Sequence, residues 1–369
     1  MQECGPSGGD NPCQDRADAG NERQRVTILE KTNRQGVDHM KRLVLGLIAA
    51  TAMTLPAFAA DIKPAVIYDM GGKFDKSFNE AAYHGAEKFK KETGIAYRDF
   101  EISNDTQREQ ALEKFAQDGN SPIIAMSFSF EAAMKKVAPE YPKTQFVIVD
   151  DVVDLPNVRS VVFKENEGSY LVGVMAALAS KTGTVGFIGG MDVPLIRKFG
   201  CGYVGGVKAT KADAKVIQNM TGDTPSAWND PTKGGEIAKS QMDQGADVIY
   251  AAAGGTGVGV LQAAADAGKL GIGVDSNQNG LQPGHVLTSM VKHVDVAVYN
   301  AFMDAKNGKF TFGPEHLGLA EDGVGYAMDD NNKSLVTPEM QKAVEQAKAD
   351  IISGKVKVHD YTSDNACPY

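Results

Sequence analysis

Carboxylates follow two apolar segments of the chain, at positions from which they could bind a polar ligand. Asp69 ends the segment at residues 64–69, and the pair Asp150 and Asp151 follows Phe146–Val149. Neighbouring side chains on a strand point to opposite sides, so only one member of the pair should face a given pocket. An ionised carboxylate only accepts hydrogen bonds and therefore suits a ligand that donates an N–H or O–H. The alternatives are a plain strand–turn–helix connection after Asp69 and a solvated aspartate pair in a turn.

A glycine-rich stretch at residues 252–259 lies between an apolar segment and a helical pattern. Its spacing matches neither the dinucleotide-binding fingerprint nor a phosphate loop, which would end in Lys-Ser or Lys-Thr. Bare glycine backbone allows a flat or polar ligand to approach closely. We therefore interpret Gly254 and Gly255 as part of a pocket wall rather than as a phosphate site.

Residue patterns typical of catalysis and metal binding do not occur among the predicted strands and helices. The six histidines are scattered, and neither His-Glu-x-x-His nor Cys-x-x-Cys is found. Those spacings would indicate a zinc site. The Gly-x-Ser-x-Gly spacing of a nucleophile elbow occurs only at residues 5–9, ahead of every predicted strand, whereas an elbow needs a strand before its serine. We predict no catalytic residue, no metal and no cofactor. The competing interpretation is an exported enzyme that uses Asp69 and Asp150.

Short apolar runs alternate with amphipathic stretches, and this alternation predicts βαβ units. In the first helix, predicted at residues 77–92, Ser77 and Glu80 have capping-box spacing. Thr337 is the predicted N-cap of a late helix at residues 338–353. Parallel strands joined by right-handed crossovers bring their carboxyl ends, and hence a ligand site, to one edge of a sheet. At ~100–200 residues per domain, the length favours two such sheets.

The composition indicates a globular protein with an acidic surface. The 369 residues are 42% hydrophobic and 23% charged, which supports large cores and excludes a disordered or collagen-like chain. With 38 Lys and Arg against 47 Asp and Glu, the formal net charge is −9. An acidic surface does not attract a phosphate backbone, so nucleic acid is not an expected partner.

Residues 40–59 have the three parts of a secretory signal peptide: a basic start, a short apolar run and an Ala-x-Ala site at Ala57 and Ala59. We therefore predict that residues 1–39 are a disordered, non-native extension and that the mature chain begins at residue 60 or 61. Only Cys201 and Cys367 then remain, which suggests one disulfide in an oxidising compartment. The alternative is a buried, free Cys201 and a frayed tail that carries Cys367.

A set of short motifs occurs in order along the chain. The motifs are Asp69-x-Gly-Gly, Asp75-Lys-Ser-Phe-Asn79, the strand that ends at Asp150, Glu167-Gly-Ser-Tyr-Leu-Val-Gly173, Gly186-Phe-Ile-Gly-Gly190, Ala253-Gly-Gly-Thr-Gly257, Gly273-Val-Asp275 and Ser289-Met-Val-Lys292. Together they resemble the basic membrane protein family of ABC-transporter solute-binding proteins, whose best-understood members are purine nucleoside receptors. The resemblance covers residues 61 to about 353, and the joint occurrence of the motifs is specific.

The resemblance implies an α/β protein of the type I periplasmic binding class. Two doubly wound parallel-sheet lobes would be joined by three hinge strands and would close on a ligand. The crossovers are expected near residues 164–166, 282–286 and 317–320. The N-terminal lobe would then contain residues 60–165 and 286–318, and the C-terminal lobe residues 166–285 and 319–369.

In the family, a purine ring lies between two aromatic side chains, and an aspartate reads the edge of the base. Phe78 matches the first aromatic position, and Asp150 matches the base reader. The second aromatic position falls on Trp228, where the family usually has Phe, and this departure could alter the size of the pocket. The ligand-binding residues implied by the resemblance are Asp69, Phe78, Asn79, Asp150, Trp228, Gly254, Gly255, Asp275 and Lys292.

The expected partners are a purine nucleoside or base and an ABC transporter permease, and the protein is expected to be a monomer. Many relatives carry a lipid-anchored cysteine directly after the signal, but residues 57–61 contain none. A freely diffusing periplasmic protein is therefore expected. The alternative function is a sugar-binding protein of the same fold, since ring stacking and carboxylates also recognise pyranoses.

Overall fold

The computed structural model describes residues 62–369, and the predicted alternation of strands and helices is confirmed there. The first part contains β1 (Ala65–Tyr68), α1 (Phe78–Thr93), β2 (Arg98–Glu101), α2 (Thr106–Gln117), β3 (Ile123–Met126), α3 (Glu131–Val137), β4 (Phe146–Val149), β5 (Val158–Phe163), α4 (Glu165–Ala179), β6 (Thr184–Met191), α5 (Pro194–Thr210) and β7 (Lys215–Gly222). The second part contains α6 (Pro231–Asp243), β8 (Val248–Ala252), α7 (Thr256–Asp266), β9 (Leu270–Asp275), β10 (Val286–Lys292), α8 (Val294–Lys306), β11 (Gly313–Leu317), β12 (Val324–Tyr326) and α9 (Pro338–Ile352).

The strands form two six-stranded sheets, and each sheet with its helices is one lobe. The sheet of the first lobe has the order β11-β5-β4-β3-β1-β2 and is parallel throughout. The sheet of the second lobe has the order β12-β10-β9-β8-β6-β7. It is parallel except for β12, which pairs antiparallel with β10 and was not predicted. The predicted α/β class with two parallel-sheet lobes is thus confirmed.

The central strands are buried along their whole length, because helices cover both faces of a parallel sheet. Every residue of β1, β3, β4 and β8 is buried. The edge strand β2 is exposed throughout. The buried strands consequently appear in the sequence as continuous apolar runs, and their carboxyl ends can be located from sequence alone.

The chain passes between the two sheets after β5, after β10 and after β11. The prediction that placed the second crossover near residues 282–286, and residues 286–292 in the first lobe, is wrong. Those residues form β10, which pairs with β9 and β12 in the second sheet. The chain returns to the first lobe only with α8, which packs so closely on α1 that a Cβ atom at Gly85 would lie 2.2 Å from the carbonyl oxygen of Asp295. The apolar pattern of β10 does not reveal which sheet it joins.

The two predicted helix caps have different outcomes. The Thr337 hydroxyl accepts a hydrogen bond of 3.2 Å from the Met340 N–H, as predicted for the N-cap of α9. The capping box at Ser77 and Glu80 is wrong, because the Ser77 hydroxyl donates instead to Asp275 in the second lobe. Asp75 caps α1 in its place and accepts hydrogen bonds of 2.8 to 3.1 Å from the N–H groups of residues 77, 79 and 80.

The carboxyl-terminal segment is fastened to the second lobe. Cys201 on α5 and Cys367 form a disulfide with a Cα–Cα distance of 5.6 Å. The side-chain amide of Asn166 donates a hydrogen bond of 3.0 Å to the Val358 carbonyl oxygen. None of the helices within residues 62–369 is long and apolar enough to cross a membrane. The predicted extension at residues 1–39 and the signal peptide at residues 40–59 lie outside the described residues.

Candidate ligand-binding site

A cleft lies between the lobes, at the carboxyl ends of strands from both sheets. Gly255 is the one predicted ligand-binding residue that does not line the cleft; it lies in a neighbouring crevice at the mouth, beside Phe74. The predicted residues that do line the cleft are Asp69, Phe78, Asn79, Asp150, Trp228, Gly254, Asp275 and Lys292.

Phe78 and Trp228 line the cleft from opposite lobes, and we call this pair the aromatic slot. Phe78 is the first residue of α1 in the first lobe. Trp228 ends a short 3-10 turn, Pro225–Trp228, that follows β7 in the second lobe. Both rings are only partly buried. Because each lobe supplies one ring, the spacing between the rings depends on how far the lobes close.

Two threonines hold the turn that carries Trp228. The hydroxyls of Thr221 and Thr256 donate hydrogen bonds of 3.0 and 2.8 Å to the Ala227 carbonyl oxygen. Thr256 also accepts a hydrogen bond of 2.7 Å from the Asp230 N–H on the other side of the turn. The backbone at Trp228 is therefore fixed from both sides.

In the first lobe, the loop after β1 is held by side chains that lie elsewhere in the sequence. Asp69 accepts hydrogen bonds of 2.8 Å from the Met70 N–H and from the guanidinium of Arg108. The Asn79 amide donates to the carbonyl oxygens of Asp69 and Gly72 at 3.3 and 3.2 Å. The structure thus uses the Asn79 side chain to position the loop. Arg108 was not predicted from the sequence, since it is one charged residue of an ordinary amphipathic helix.

Four buried charged residues form a continuous series along the hinge side of the cleft, which we call the ionic chain: Asp150, Lys292, Glu165 and Lys198. The Lys292 ammonium lies 2.6 Å from Asp150 Oδ1 and 3.0 Å from Glu165 Oε1. Glu165 Oε2 lies 2.9 Å from the Lys198 ammonium. Each side chain is at most 9% exposed. The ionic chain joins the end of β4 in the first lobe to α4, α5 and β10 in the second.

Burial and mutual attraction act against each other within the ionic chain. Burial raises the pKa of Asp150 to about 6, and the Lys292 ammonium limits this rise. Burial also acts to raise the pKa of Glu165, but Lys198 and Lys292 outweigh it and bring that pKa below its usual value. Burial acts to lower the pKa of Lys292, and the carboxylates of Asp150 and Glu165 reverse the effect. The charged forms are thus maintained by their neighbours.

Several hydrogen bonds connect the lobes at the edge of the cleft. The Ser77 hydroxyl donates to Asp275 Oδ2 at 2.5 Å, and the Ser276 hydroxyl donates to the Ser77 carbonyl oxygen at 2.8 Å. The Gln278 amide donates to the Lys76 carbonyl oxygen at 2.8 Å. These contacts join the start of α1 to the loop after β9. The two lobes are thus in direct contact along this edge of the cleft.

Asp150 and Asp275 occupy equivalent places in the two lobes. Each comes at the carboxyl end of a strand with a left-handed backbone, with φ of 73° and 62°. Such a conformation is uncommon for a residue other than glycine and often marks a ligand site. Asp151, by contrast, does not line the cleft, and its carboxylate accepts a hydrogen bond from the Val152 N–H. One aspartate of the pair faces the cleft, as the strand geometry predicts.

Several cleft residues were not predicted from the sequence. Asp75 lines the cleft, and burial raises its pKa to about 7 even though three backbone N–H groups donate to it. Ser127 directly follows β3, a position that could have marked it as a site residue. Phe199 lies on α5, and its ring is 5.6 Å from the Lys292 ammonium. Within residues 62–369 no group of His, Cys, Asp and Glu could hold a metal ion.

The family described as "ABC transporter substrate-binding protein PnrA-like" (Bmp) matches residues 62–362 of this chain, which include both lobes and the cleft. The chain belongs to this family. It is therefore an ABC transporter substrate-binding protein, and the predicted resemblance is confirmed. Proteins of this class bind small-molecule ligands and work with membrane permeases.

The comparisons agree over most of the chain. A Lactococcus lactis relative, named ABC transporter nucleoside-binding protein BmpA, is 36% identical over 321 residues, which cover 81% of this chain and 89% of the relative. A solved structure of solute-binding proteins of an ABC transporter system from Aeropyrum pernix K1 has a TM-score of 0.75 and 29% identity, and the match covers 81% of this chain and 93% of that one. These relatives are named as binding proteins.

A Pyrococcus abyssi relative differs in its name. It is called an uncharacterized lipoprotein and is 34% identical over 284 residues, which cover 73% of this chain and 69% of the relative. That name contrasts with the expectation of a freely diffusing protein. The residues on which the expectation rests lie outside the described part of the chain, so it stays a prediction.

Proposed function

We propose that this protein binds a purine nucleoside or nucleobase in the cleft and delivers it to an ABC permease. The observation that carries the proposal is the aromatic slot, in which Phe78 and Trp228 line one cleft from opposite lobes. Stacking on an aromatic side chain contributes about 1–3 kcal/mol per base. The Lactococcus lactis relative named as a nucleoside-binding protein supports the same ligand class.

The edge of the cleft supplies the groups that would distinguish one ligand from another. Asp150 and Asp275 offer carboxylate oxygens, which accept hydrogen bonds from a ring N–H, an exocyclic amine or a ribose hydroxyl. Lys292 is the complementary donor and already contacts Asp150. A ligand that leaves a buried carboxylate oxygen without a donor would lose about 1–3 kcal/mol. Stacking thus supplies affinity, and the carboxylates supply identity.

The charge of the cleft favours a nucleoside or base over a nucleotide. Asp69, Asp75, Asp150 and Asp275 all line it, whereas Lys292 is the only Lys or Arg among its described lining residues. A phosphate would lie among carboxylates in a partly desolvated site, where repulsion between like charges is strong. We expect the unphosphorylated ligand to bind much more tightly than its 5′-phosphate.

Binding would act through closure of the lobes and not through chemistry on the ligand. A ligand that touches Phe78 in one lobe and Trp228 in the other binds the closed form more tightly than the open form, and so shifts the population toward closure. The alternative ligand is a sugar, because the same carboxylates can accept hydrogen bonds from hydroxyl groups and an aromatic face can pack on a pyranose ring. We expect the monomer to be the active unit.

Mass spectrometry of small molecules that co-purify with the protein tests the proposal. The expected result is an intact purine nucleoside or base. Recovery of a hexose would support the sugar alternative. Conversion of an added nucleoside into products would instead indicate an enzyme.

A further inference from the structure

Trp228 is the only tryptophan of the chain, and its ring rests against a glycine of a neighbouring strand. Gly190 lies near the carboxyl end of β6, between β8 and the edge strand β7. A Cβ atom at Gly190 would lie 2.0 Å from Cζ3, 2.4 Å from Cε3 and 2.7 Å from Cη2 of Trp228. The six-membered ring of the indole thus occupies the space that any other residue at position 190 would need.

Other glycines near Trp228 do not have this role. A Cβ atom at Gly254 would be 3.8 Å from Trp228 Cε3, and one at Gly71 in the other lobe would be 3.6 Å from Trp228 Cβ. Both distances are ordinary contacts between carbon atoms. Gly190 is therefore the position at which a single methyl group conflicts with the ring.

The conflict could not be relieved by a small shift of the backbone. The hydroxyls of Thr221 and Thr256 hold the carbonyl oxygen of the residue before Trp228. The indole is a rigid plate, so its edge would have to move by about 1.5 Å to reach a normal carbon–carbon distance of about 3.5 Å. Such a movement is a large fraction of a stacking distance and would change the face that Trp228 presents to the cleft.

We propose that Gly190 is a specificity-determining residue of this site. Because it has no side chain, Gly190 leaves space for the indole of Trp228 and sets the position of that ring. Gly190 and Trp228 together give the aromatic slot the size of a two-ring base. The inference rests on the proposed function. It adds that the size of the ligand is controlled from β6, by a residue without a side chain.

The test compares Gly190→Ala, Trp228→Phe and the double variant by calorimetric titration with adenosine and with uridine. Phe lacks the atoms Cζ3 and Cη2, so it leaves room for the alanine methyl group. The matched control is Gly222→Ala on β7, where a Cβ atom would lie 3.5 Å from the nearest atom, the Cβ of Ala227.

We expect Gly190→Ala to weaken adenosine binding at least tenfold and uridine binding by less, because the smaller ring overlaps less of the indole. The double variant should bind adenosine within about threefold of Trp228→Phe alone, and Gly222→Ala should bind like the wild type. The proposal is overturned if Gly190→Ala binds adenosine as the wild type does. It is also overturned if Gly190→Ala causes the same loss in the wild-type protein as in the Trp228→Phe variant.

A second readout separates this inference from the proposed function. Fluorescence of the only tryptophan reports the surroundings of Trp228 without any ligand. If the wild type binds neither of these nucleosides, nor guanosine, nor adenine, the proposed function fails, but a shifted emission spectrum in Gly190→Ala and an unshifted one in Gly222→Ala still support the steric pairing. An unshifted spectrum in both variants contradicts it.

Discussion

The ionic chain and the aromatic slot lie in the same cleft but are satisfied in different ways. Each charged group of the ionic chain already has an opposite charge within 3.0 Å, and the four side chains are almost fully buried. Phe78 and Trp228 remain partly exposed and line the cleft from opposite lobes. The comparison indicates that the ionic chain mainly holds the fold at the hinge, whereas the slot mainly holds the ligand.

This difference changes how the charged residues of the cleft should be interpreted. Asp69 is paired with Arg108, and Asp150 is paired with Lys292. A ligand would therefore meet carboxylates whose positions are fixed in advance and whose remaining lone pairs are free to accept hydrogen bonds. Fixed acceptors of this kind raise selectivity because they do not rearrange to suit the wrong ligand.

The largest effect on stability is expected from Glu165→Gln. The variant leaves the ammonium groups of Lys198 and Lys292 without their shared carboxylate in a buried site. Removal of one partner from a buried ion pair typically costs about 3–5 kcal/mol. Urea unfolding should show a loss of this size in the free energy of unfolding.

Glu109→Gln is the matched control for that experiment. Its ion pair with Lys136 lies at the surface, with side chains that are 38% and 59% exposed. A pair of this kind contributes about 0–1 kcal/mol. If both variants lost the same small amount, the ionic chain would not be the structural element that the comparison describes.

Sequence reasoning located the cleft residues at strand ends better than the helical members of the ionic chain, for a physical reason. Asp69 and Asp150 follow buried strands, and the carboxyl ends of parallel strands can be found from apolar runs. Glu165 was not predicted because acidic residues are common in the first turn of a helix, and Glu165 is the first residue of α4. Its partners, moreover, come from α5 and β10. Only the folded chain shows that these segments meet.

The same limit explains the errors at Ser77 and at β10. The Ser77 hydroxyl bonds to Asp275, a residue 198 positions away, so local capping signals could not predict its partner. The strand β10 has the apolar residues of any central strand, and its sheet is decided by pairing with β9 and β12. The local sequence pattern predicts helices and strands, while contacts between residues far apart in the sequence decide how these helices and strands pack together.

The next largest effect is a loss of affinity in Trp228→Ala. Loss of one stacking face should weaken a purine ligand by about tenfold to a hundredfold, from about 1–3 kcal/mol per base and 1.4 kcal/mol per tenfold change. Stability should fall by less than in Glu165→Gln. Phe74→Ala is the control, since Phe74 is 60% exposed at the mouth of the cleft and does not line it. Equal losses of affinity in both variants would contradict a specific slot.

The smallest effect concerns His293, which directly follows the buried Lys292. A hydrogen bond with the Asp295 carboxylate, whose Oδ1 lies 3.5 Å from Nδ1, raises the pKa of His293. The folded state therefore binds this proton more tightly than the unfolded state, so the stabilisation is complete below about pH 6.5 and disappears as pH rises through the raised pKa. Both side chains are partly exposed, so we expect about 1 kcal/mol or less.

The free energies of unfolding of the wild type and of His293→Gln at about pH 5 and about pH 8 measure the stabilisation that protonated His293 contributes. The wild type should be the more stable of the two at the lower pH, and the difference should vanish at the higher pH. A difference that grows with pH would have the wrong sign for a histidine that is stabilised in its charged form. The result would show how much weaker a partly exposed ion pair is than the buried ionic chain beside it.

The central claim is that the aromatic slot binds a purine. Calorimetric titration of the wild-type protein with guanosine, adenosine, adenine and a hexose tests it most directly. We predict saturable binding of at least one of the three purines with one ligand per chain, and no binding of the hexose at the same concentration. Saturable binding of the hexose together with failure of all three purines would contradict the claim and establish the sugar alternative.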